Sequence, residues 1–227
     1  NGWASIDLAS KPLVKLDLDF QKLAVATSRS TNSSAQPWSS ATIDLNGLNY
    51  IDVYSRTGYY PQPSLPFIPG MEGAGVITAI GEGVKDLKVG MRVAYAGPIG
   101  ACAEERLIGA DRVVRLPSGI SDEIAASIML KGMTAQYLLR RTYIVGPKTT
   151  LLFHAAAGGV GLIACQWAAA LGATVIGTVG SAGKALIARA HGCTHVINYR
   201  EEDFVTMVKA YTDGKGVDVV YDSIGKD

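Results

Sequence analysis

Residues 153–161 read Phe-His-Ala-Ala-Ala-Gly-Gly-Val-Gly, set between the apolar runs Thr150–Leu152 and Leu162–Ala170. A strand that turns through glycines into a helix is the context in which a dinucleotide fingerprint has physical meaning. Read this way, Gly158 lets the backbone approach a pyrophosphate, and Gly161 lets the helix pack close against the strand. Gly159 and Val160 lie where the free N–H groups of the first helical turn face phosphate charge. Ala156 stands where G-x-G-x-x-G has its first glycine, so the pattern is imperfect, and a glycine-rich turn without ligand is the plainer alternative.

Outward from the loop, residues 149–183 carry no Asp, Glu, Lys or Arg. Seven glycines, His154 and Gln166 interrupt the stretch, which argues against a membrane span. Parallel strands covered on both faces read as such apolar runs. The spacing predicts a helix from Ser121 to Arg140 and Arg141, then a strand (Thr150–Ala155), a helix (Val160–Leu171) and a strand (Thr174–Val179). A helix (Lys184–Ala190), a strand (His195–Tyr199), a helix (Glu202–Tyr211) and a strand (Val217–Ser223) follow. Alternation of this kind implies a parallel, doubly wound α/β sheet.

Two further glycine clusters differ in kind. Gly81-Glu82-Gly83 precedes a β-type run rather than a helix, and reads as a hairpin turn. Gly177–Ala185 nearly matches a P-loop, but Ala185 lacks the hydroxyl that would ligate Mg²⁺. The end of the second strand, Val179-Gly180-Ser181, carries no acid to hold ribose hydroxyls. Ser181 and Lys184 can instead donate to a 2′-phosphate, which favours NADPH. Tyr199, ending the third strand, offers a hydroxyl or a flat face on the same side. A solvated helix lysine and a strand-end tyrosine are the bland readings of these two.

Upstream, residues 1–40 end in the Ser-rich SRSTNSSAQPWSS and read as an atypical segment and linker. Residues 41–124 hold Gly, Pro and short β-type runs (75–80, 92–96, 112–116), which suggests a small mainly-β, barrel-like domain. Residues 125–227 form the α/β domain. The 227 residues hold 48% hydrophobic and 18% charged side chains, as a folded domain should. A net charge of +1 leaves no field to draw in nucleic acid or an anionic membrane. Three cysteines, 102, 165 and 193, exclude a disulfide scaffold and suggest a reducing, cytoplasmic setting. Residues 1–25 alternate polar and apolar without the apolar core of a signal peptide. Starting at Asn1, the chain is expected to be a processed product or a piece of a longer protein.

Long stretches resemble zinc-free quinone oxidoreductases of the medium-chain dehydrogenase/reductase superfamily (zeta-crystallin-like): GLNYIDVY (47–54), PFIPGMEGAGVITAIGEGV (66–84), LKGMTAQYLLR (130–140), LFHAAAGGVGLIACQWA (152–168), INYREEDF (197–204) and GVDVVYDSIGKD (216–227). The resemblance implies a GroES-like domain followed by a Rossmann domain, with NADPH bound between them. It implies Asn49 at the nicotinamide end, Tyr54 and Tyr60 on the substrate side, and Lys131 and Thr134 toward the nicotinamide ribose and ring. Gly158, Gly159 and Val160 would hold the pyrophosphate, and Gly180, Ser181, Lys184 and Tyr199 the 2′-phosphate. Asn49 as a turn cap, the tyrosines as amphipathic core and Thr134 as a helix-interior residue are the plainer readings.

Zinc-dependent relatives carry a ligand cysteine near Asn49 and a histidine in G-H-E, where this chain has Gly70-Met71-Glu72. A thioether is a poor Zn²⁺ ligand. The four-cysteine lobe is absent too, so no metal is expected. The family continues beyond a fourth Rossmann strand, where this chain stops, and a homodimer is implied for the full-length form. The expected chemistry is NADPH-dependent reduction of a quinone. Reduction of an enal or enone C=C bond is the alternative, and a catalytically silent nucleotide-binding fragment is the alternative of another class.

Overall fold

The computed structural model describes residues 38–225, which form two units, 38–133 and 134–225. The alternating run of residues 1–25 and most of the Ser-rich stretch lie outside the described residues.

In the first unit, β1 (Trp38–Gly47), β2 (Glu72–Ile80), β3 (Arg92–Ala96), β4 (Glu105–Gly109) and β5 (Val114–Arg115) form one antiparallel sheet in the order β4-β1-β2-β3-β5. Trp38, Ser39 and Ser40, expected in a linker, are the first residues of β1; Trp38 pairs with β4, and Ser39 and Ser40 with both β2 and β4. Strand alternation splits the core in two. Val93 and Tyr95 face a cluster with Ile77, Leu87, Ala101, Ile108 and Val113. Ala94 and Ala96 point the other way, with Ala74, against Ala125, Ala126 and Met129 of α2 (Asp122–Tyr137). The small side chains on that face let the helix pack close. Arg92 ties β3 to the start of α2 through Asp122 Oδ1 (3.0 Å) and the Ile120 carbonyl (2.7 Å). Gly81–Gly83 does form the turn between β2 and β3, with Gly83 at φ +85°.

A short helix, α1 (Tyr50–Thr57), was not anticipated. Its aromatic and β-branched residues are poor helix formers. Its ends decide it: Asp52 Oδ2 accepts from the Asn49 N–H at 2.8 Å, and Gly58 closes it in the left-handed region at φ +77°.

The second unit follows the alternation read from sequence, with shifted ends. The α-helix expected to reach Arg140 and Arg141 stops at Tyr137, and a π-helical turn occupies Leu138–Thr142. Next come β6 (Thr150–Phe153), α3 (Gly159–Ala170), β7 (Thr174–Val179), α4 (Ala182–Ala190), β8 (His195–Asn198), α5 (Phe204–Tyr211) and β9 (Val219–Tyr221). All pairs are parallel, in the order β8-β7-β6-β9. The final strand is shorter than the expected Val217–Ser223. Leu152, Ile176, Ile197 and Val208 fill the core between sheet and α5. Because β7 and β9 flank β6 on opposite sides, the loop after β6 opens at the point where the strand order reverses, the place where such sheets bind ligands. Among the described residues, no helix is long and apolar enough to cross a membrane.

Candidate functional site

The chain leaves β6 through Ala155, a non-glycine residue at φ +55°. An alanine in the left-handed region costs about 1–2 kcal/mol. The turn is then closed by the Gly158 N–H on the Ala155 carbonyl at 2.8 Å. Gly158 is the N-cap of α3, and no side chain caps that helix. The first-turn N–H groups of Gly159 and Val160 therefore face outward as donors. A Cβ at Gly161 would stand 2.5 and 2.6 Å from the carbonyl oxygens of Ala155 and Ala156. Gly161 thus admits the turn, rather than the strand, against the helix. Ala156, in place of the first fingerprint glycine, is wholly buried, and a Cβ at Gly177 on β7 would lie 2.6 Å from its methyl. The glycine missing from the loop is supplied opposite it.

Gly158, Gly180, Lys184 and Tyr199 line one cleft of about 600 Å³ in the second unit, within the range of small-ligand sites. Gly180 and Tyr199 are matched. A Cβ at 180 would sit 2.6 Å from the Tyr199 hydroxyl, so glycine keeps the ring on the cleft wall with 52% of the residue exposed. Ser181 is the N-cap of α4, its Oγ accepting from the Lys184 N–H at 3.4 Å.

His154, Glu202, Asp203, Phe204 and Asp222 also line this cleft, and none was assigned a role from sequence. His154 Nδ1 meets Thr178 Oγ1 at 2.9 Å, and its ring stands edge-on to Phe204 at 5.1 Å. Thr206, through its hydroxyl and its N–H, holds the Asp203 carboxyl below the usual carboxylate range. The N–H groups of Ile224 and Gly225 do the same for Asp222. Two ionised acids thus share the cleft with Lys184. Residues 149–186 hold only one formal charge, but chain distant in sequence adds the opposite sign. Charges of both signs therefore line the same cleft.

The first unit carries a second polar arrangement. The Glu72 carboxylate, 0% exposed, accepts from Asn49 Nδ2 (2.8 Å) and Lys131 Nζ (2.7 Å) at Oε1, and from the Leu130 N–H (2.7 Å) at Oε2. Lys131 also donates to the Ser127 carbonyl at 3.2 Å. Asn49 is both a helix cap and a member of this cluster. Asp52, also buried, accepts from the N–H of Asn49 (2.8 Å) and of Gly70 (3.1 Å). Tyr54 on α1 is the centre of an aromatic group, with ring centroids of Tyr50, Tyr59 and Tyr60 at 5.3, 5.0 and 5.2 Å. Thr134 lies half-buried on α2, one turn beyond Lys131. Among the described residues, no three His, Cys, Asp or Glu side chains gather to hold a metal.

Tyr54 and Tyr60 pack against each other and Thr134 stands on α2, while the other residues named from sequence fall into two groups. One joins Gly158, Gly180, Lys184 and Tyr199 in the cleft, with Gly159, Val160 and Ser181 on the adjoining helix starts. The other joins Asn49 to Lys131. Sequence reading passed over Glu72, which it used only to argue against zinc. A glutamate opening the run EGAGVITAI was the available signal, since a charge in a buried strand needs partners.

The family model of the alcohol dehydrogenase GroES-like domain matches residues 40–150, and that of zinc-binding dehydrogenases matches residues 159–227. A quinone oxidoreductase of Pseudomonas aeruginosa is 56% identical over 182 residues, 80% of this chain and 56% of the relative. A 2-haloacrylate reductase of a Burkholderia species is 50% identical over 188 residues, again 80% and 56%. The chain thus spans little more than half the length of these curated relatives. The crystal structure of Escherichia coli quinone oxidoreductase complexed with NADPH superposes with a TM-score of 0.81 at 48% identity, covering 90% of this chain and 67% of that one.

Proposed function

The chain belongs to the quinone oxidoreductases of the medium-chain dehydrogenase/reductase superfamily, and on that premise we propose that it reduces quinones with NADPH. The observation that carries the reading is the cleft at the reversal of the parallel sheet, where Gly158, Gly180, Lys184 and Tyr199 meet. These residues fit a dinucleotide phosphate. The uncapped start of α3 offers backbone donors for a pyrophosphate, and Lys184 and the Tyr199 hydroxyl suit a 2′-phosphate. When bound, NADPH supplies the hydride. By the resemblance, Asn49, Lys131 and Thr134 would serve its nicotinamide end, and Tyr54 and Tyr60, which pack together at 5.2 Å, would hold a flat acceptor. The reduced quinone takes its proton from water, so no dedicated acid is required.

Fluorescence titration tests the cofactor assignment. A hydrogen bond to a charged group contributes about 1.5–3 kcal/mol, and each 1.4 kcal/mol is about tenfold. Lys184→Ala should weaken NADPH by roughly 10- to 150-fold and leave NADH nearly unchanged. Equal losses for the two cofactors would refute the assignment.

A second reading, reduction of an activated C=C bond, draws on the 2-haloacrylate reductase relative. Turnover of 1,4-benzoquinone against a 2-alkenal separates the two. The resemblance also carries a homodimer for the full-length form, which sedimentation tests, and three unbridged cysteines suit a reducing cytoplasm.

A further inference from the structure

We propose that Glu72 is the positioning residue of the nicotinamide end: its buried carboxylate sets the Asn49 amide and the Lys131 ammonium from a single oxygen. The proposal rests on the function just given, which places those two side chains beside the cofactor. Glu72 itself is walled in and cannot reach a ligand. Its Oε1 takes Asn49 Nδ2 at 2.8 Å and Lys131 Nζ at 2.7 Å, and its Oε2 is held by the Leu130 N–H at 2.7 Å.

The chemistry of the partners makes the arrangement directional. An ionised carboxylate only accepts. The second neighbour of Asn49 Nδ2 is the Gly47 carbonyl at 3.4 Å, also an acceptor. A flipped amide would place its oxygen against two oxygens, so the nitrogen faces inward and Oδ1 stays on the side of the α1 N-terminus, whose third residue, Asp52, completes the capping box. Lys131 has a flexible four-carbon stem that no rotamer preference would hold in place. Glu72 Oε1 and the Ser127 carbonyl take two of its three N–H donors and leave one. Lys131 therefore keeps one donor in a fixed place, which a hydroxyl or a carbonyl oxygen can accept.

Two features keep the carboxylate where it is. A Cβ at Gly47 would stand 2.4 Å from Glu72 Oε1 and 2.2 Å from the Ala126 carbonyl, so only glycine leaves room. Asp52 fixes the Asn49 backbone independently, through its N–H at 2.8 Å. Backbone and side chain of Asn49 are thus held by different carboxylates, and loss of Glu72 frees the amide without releasing the chain.

The test is Glu72→Gln in the purified protein, read by side-chain 1H–15N spectra without cofactor and by steady-state kinetics with 1,4-benzoquinone. Removing the charge should move the Asn49 amide resonances and abolish the exchange-protected Lys131 ammonium signal. It should lower kcat by roughly 10- to 100-fold for NADPH and NADH alike, leaving the preference between them within about twofold, since the phosphate end is untouched. A general loss of fold would not spare that ratio while moving those two resonances. Unmoved resonances, or kcat within twofold of wild type, would overturn the proposal.

Should the single variant fail to fold, Glu72→Gln with Lys131→Met removes both charges of the buried pair. It should be about as active as Lys131→Met alone, and additive losses would refute action through one unit. A wild-type protein that neither binds NADPH nor reduces quinone would refute the function itself, while the spectra would still report whether Glu72 holds the two side chains.

Discussion

In the parallel-sheet unit the candidate site is shaped mainly by side chains that are absent; in the antiparallel unit it is shaped by side chains that are charged and buried. Gly158, Gly161, Gly177 and Gly180 each open space for a carbonyl, a methyl or a hydroxyl that a Cβ would strike. Glu72, Asn49 and Lys131 instead hold one another through short hydrogen bonds across chain remote in sequence, with Asp52 fixing Asn49 locally. The first device relies on sterics and responds weakly to charge. The second relies on mutual neutralisation and fails when one partner is lost. Their responses to substitution should differ accordingly.

Glu72→Ala should have the largest effect. It strands the Lys131 ammonium, the Asn49 amide and the Leu130 N–H together, and breaking a buried pair typically costs about 3–5 kcal/mol. The lower end is expected, since 23% of the Lys131 side chain is exposed and can recover some hydration. Urea unfolding measures it, and a loss under about 1 kcal/mol would place the pair with ordinary surface bridges.

Gly161→Ala comes next. Alanine gains about 1 kcal/mol in helix propensity, but the added carbon meets two backbone oxygens at 2.5 and 2.6 Å. Overpacking of that kind costs about 1–3 kcal/mol, so the net change should be destabilising and NADPH affinity should fall with it. A stabilised variant that still binds NADPH would mean that the turn yields, and the contrast between the two units would dissolve.

The smallest expected effect concerns Tyr221, whose hydroxyl donates to the Leu138 carbonyl at 2.9 Å, on the π-helical turn. Burial first, and the nearby Tyr143 second, push its pKa from 10.0 to about 12. A group whose pKa is raised on folding stabilises the fold below its unfolded value, and that contribution is lost as pH climbs through the folded value. Stability should therefore fall between pH 10 and 12 on this account. Tyr221→Phe should cost about 1 kcal/mol at neutral pH and flatten that decline. An unchanged alkaline profile in the variant would assign the decline to other groups.

The same contrast governs what could be read in advance. β7 was legible residue for residue, because Gly172 and Gly180 bracket a run whose residues other than Gly177 are almost all β-branched (Thr174, Val175, Ile176, Thr178, Val179). The glycine loop was legible because its parts are neighbours in sequence. β1 begins in a serine-rich stretch whose composition reads as loop, and only pairing with β2 and β4 on either side makes it a strand. The Glu72 cluster was missed for a related reason: its members lie on a cap, a strand and a helix, and no local pattern announces their convergence. The acids of the cleft, Glu202, Asp203 and Asp222, were in plain view, yet reach the glycine loop only through the order of the parallel strands.

The methyl of Ala156 nested against Gly177 has a consequence for inheritance. The space that an unbroken fingerprint keeps inside its own loop is here kept on the neighbouring strand, where a Cβ at 177 would meet the Ala156 methyl at 2.6 Å and Cys193 Sγ at 2.7 Å, so three positions share it. A lineage can place a methyl at 177 only when both the methyl of 156 and the thiol of 193 give way. Drift at 177 is conditional on 156 and on 193, and a pattern confined to the loop sees only the first of these.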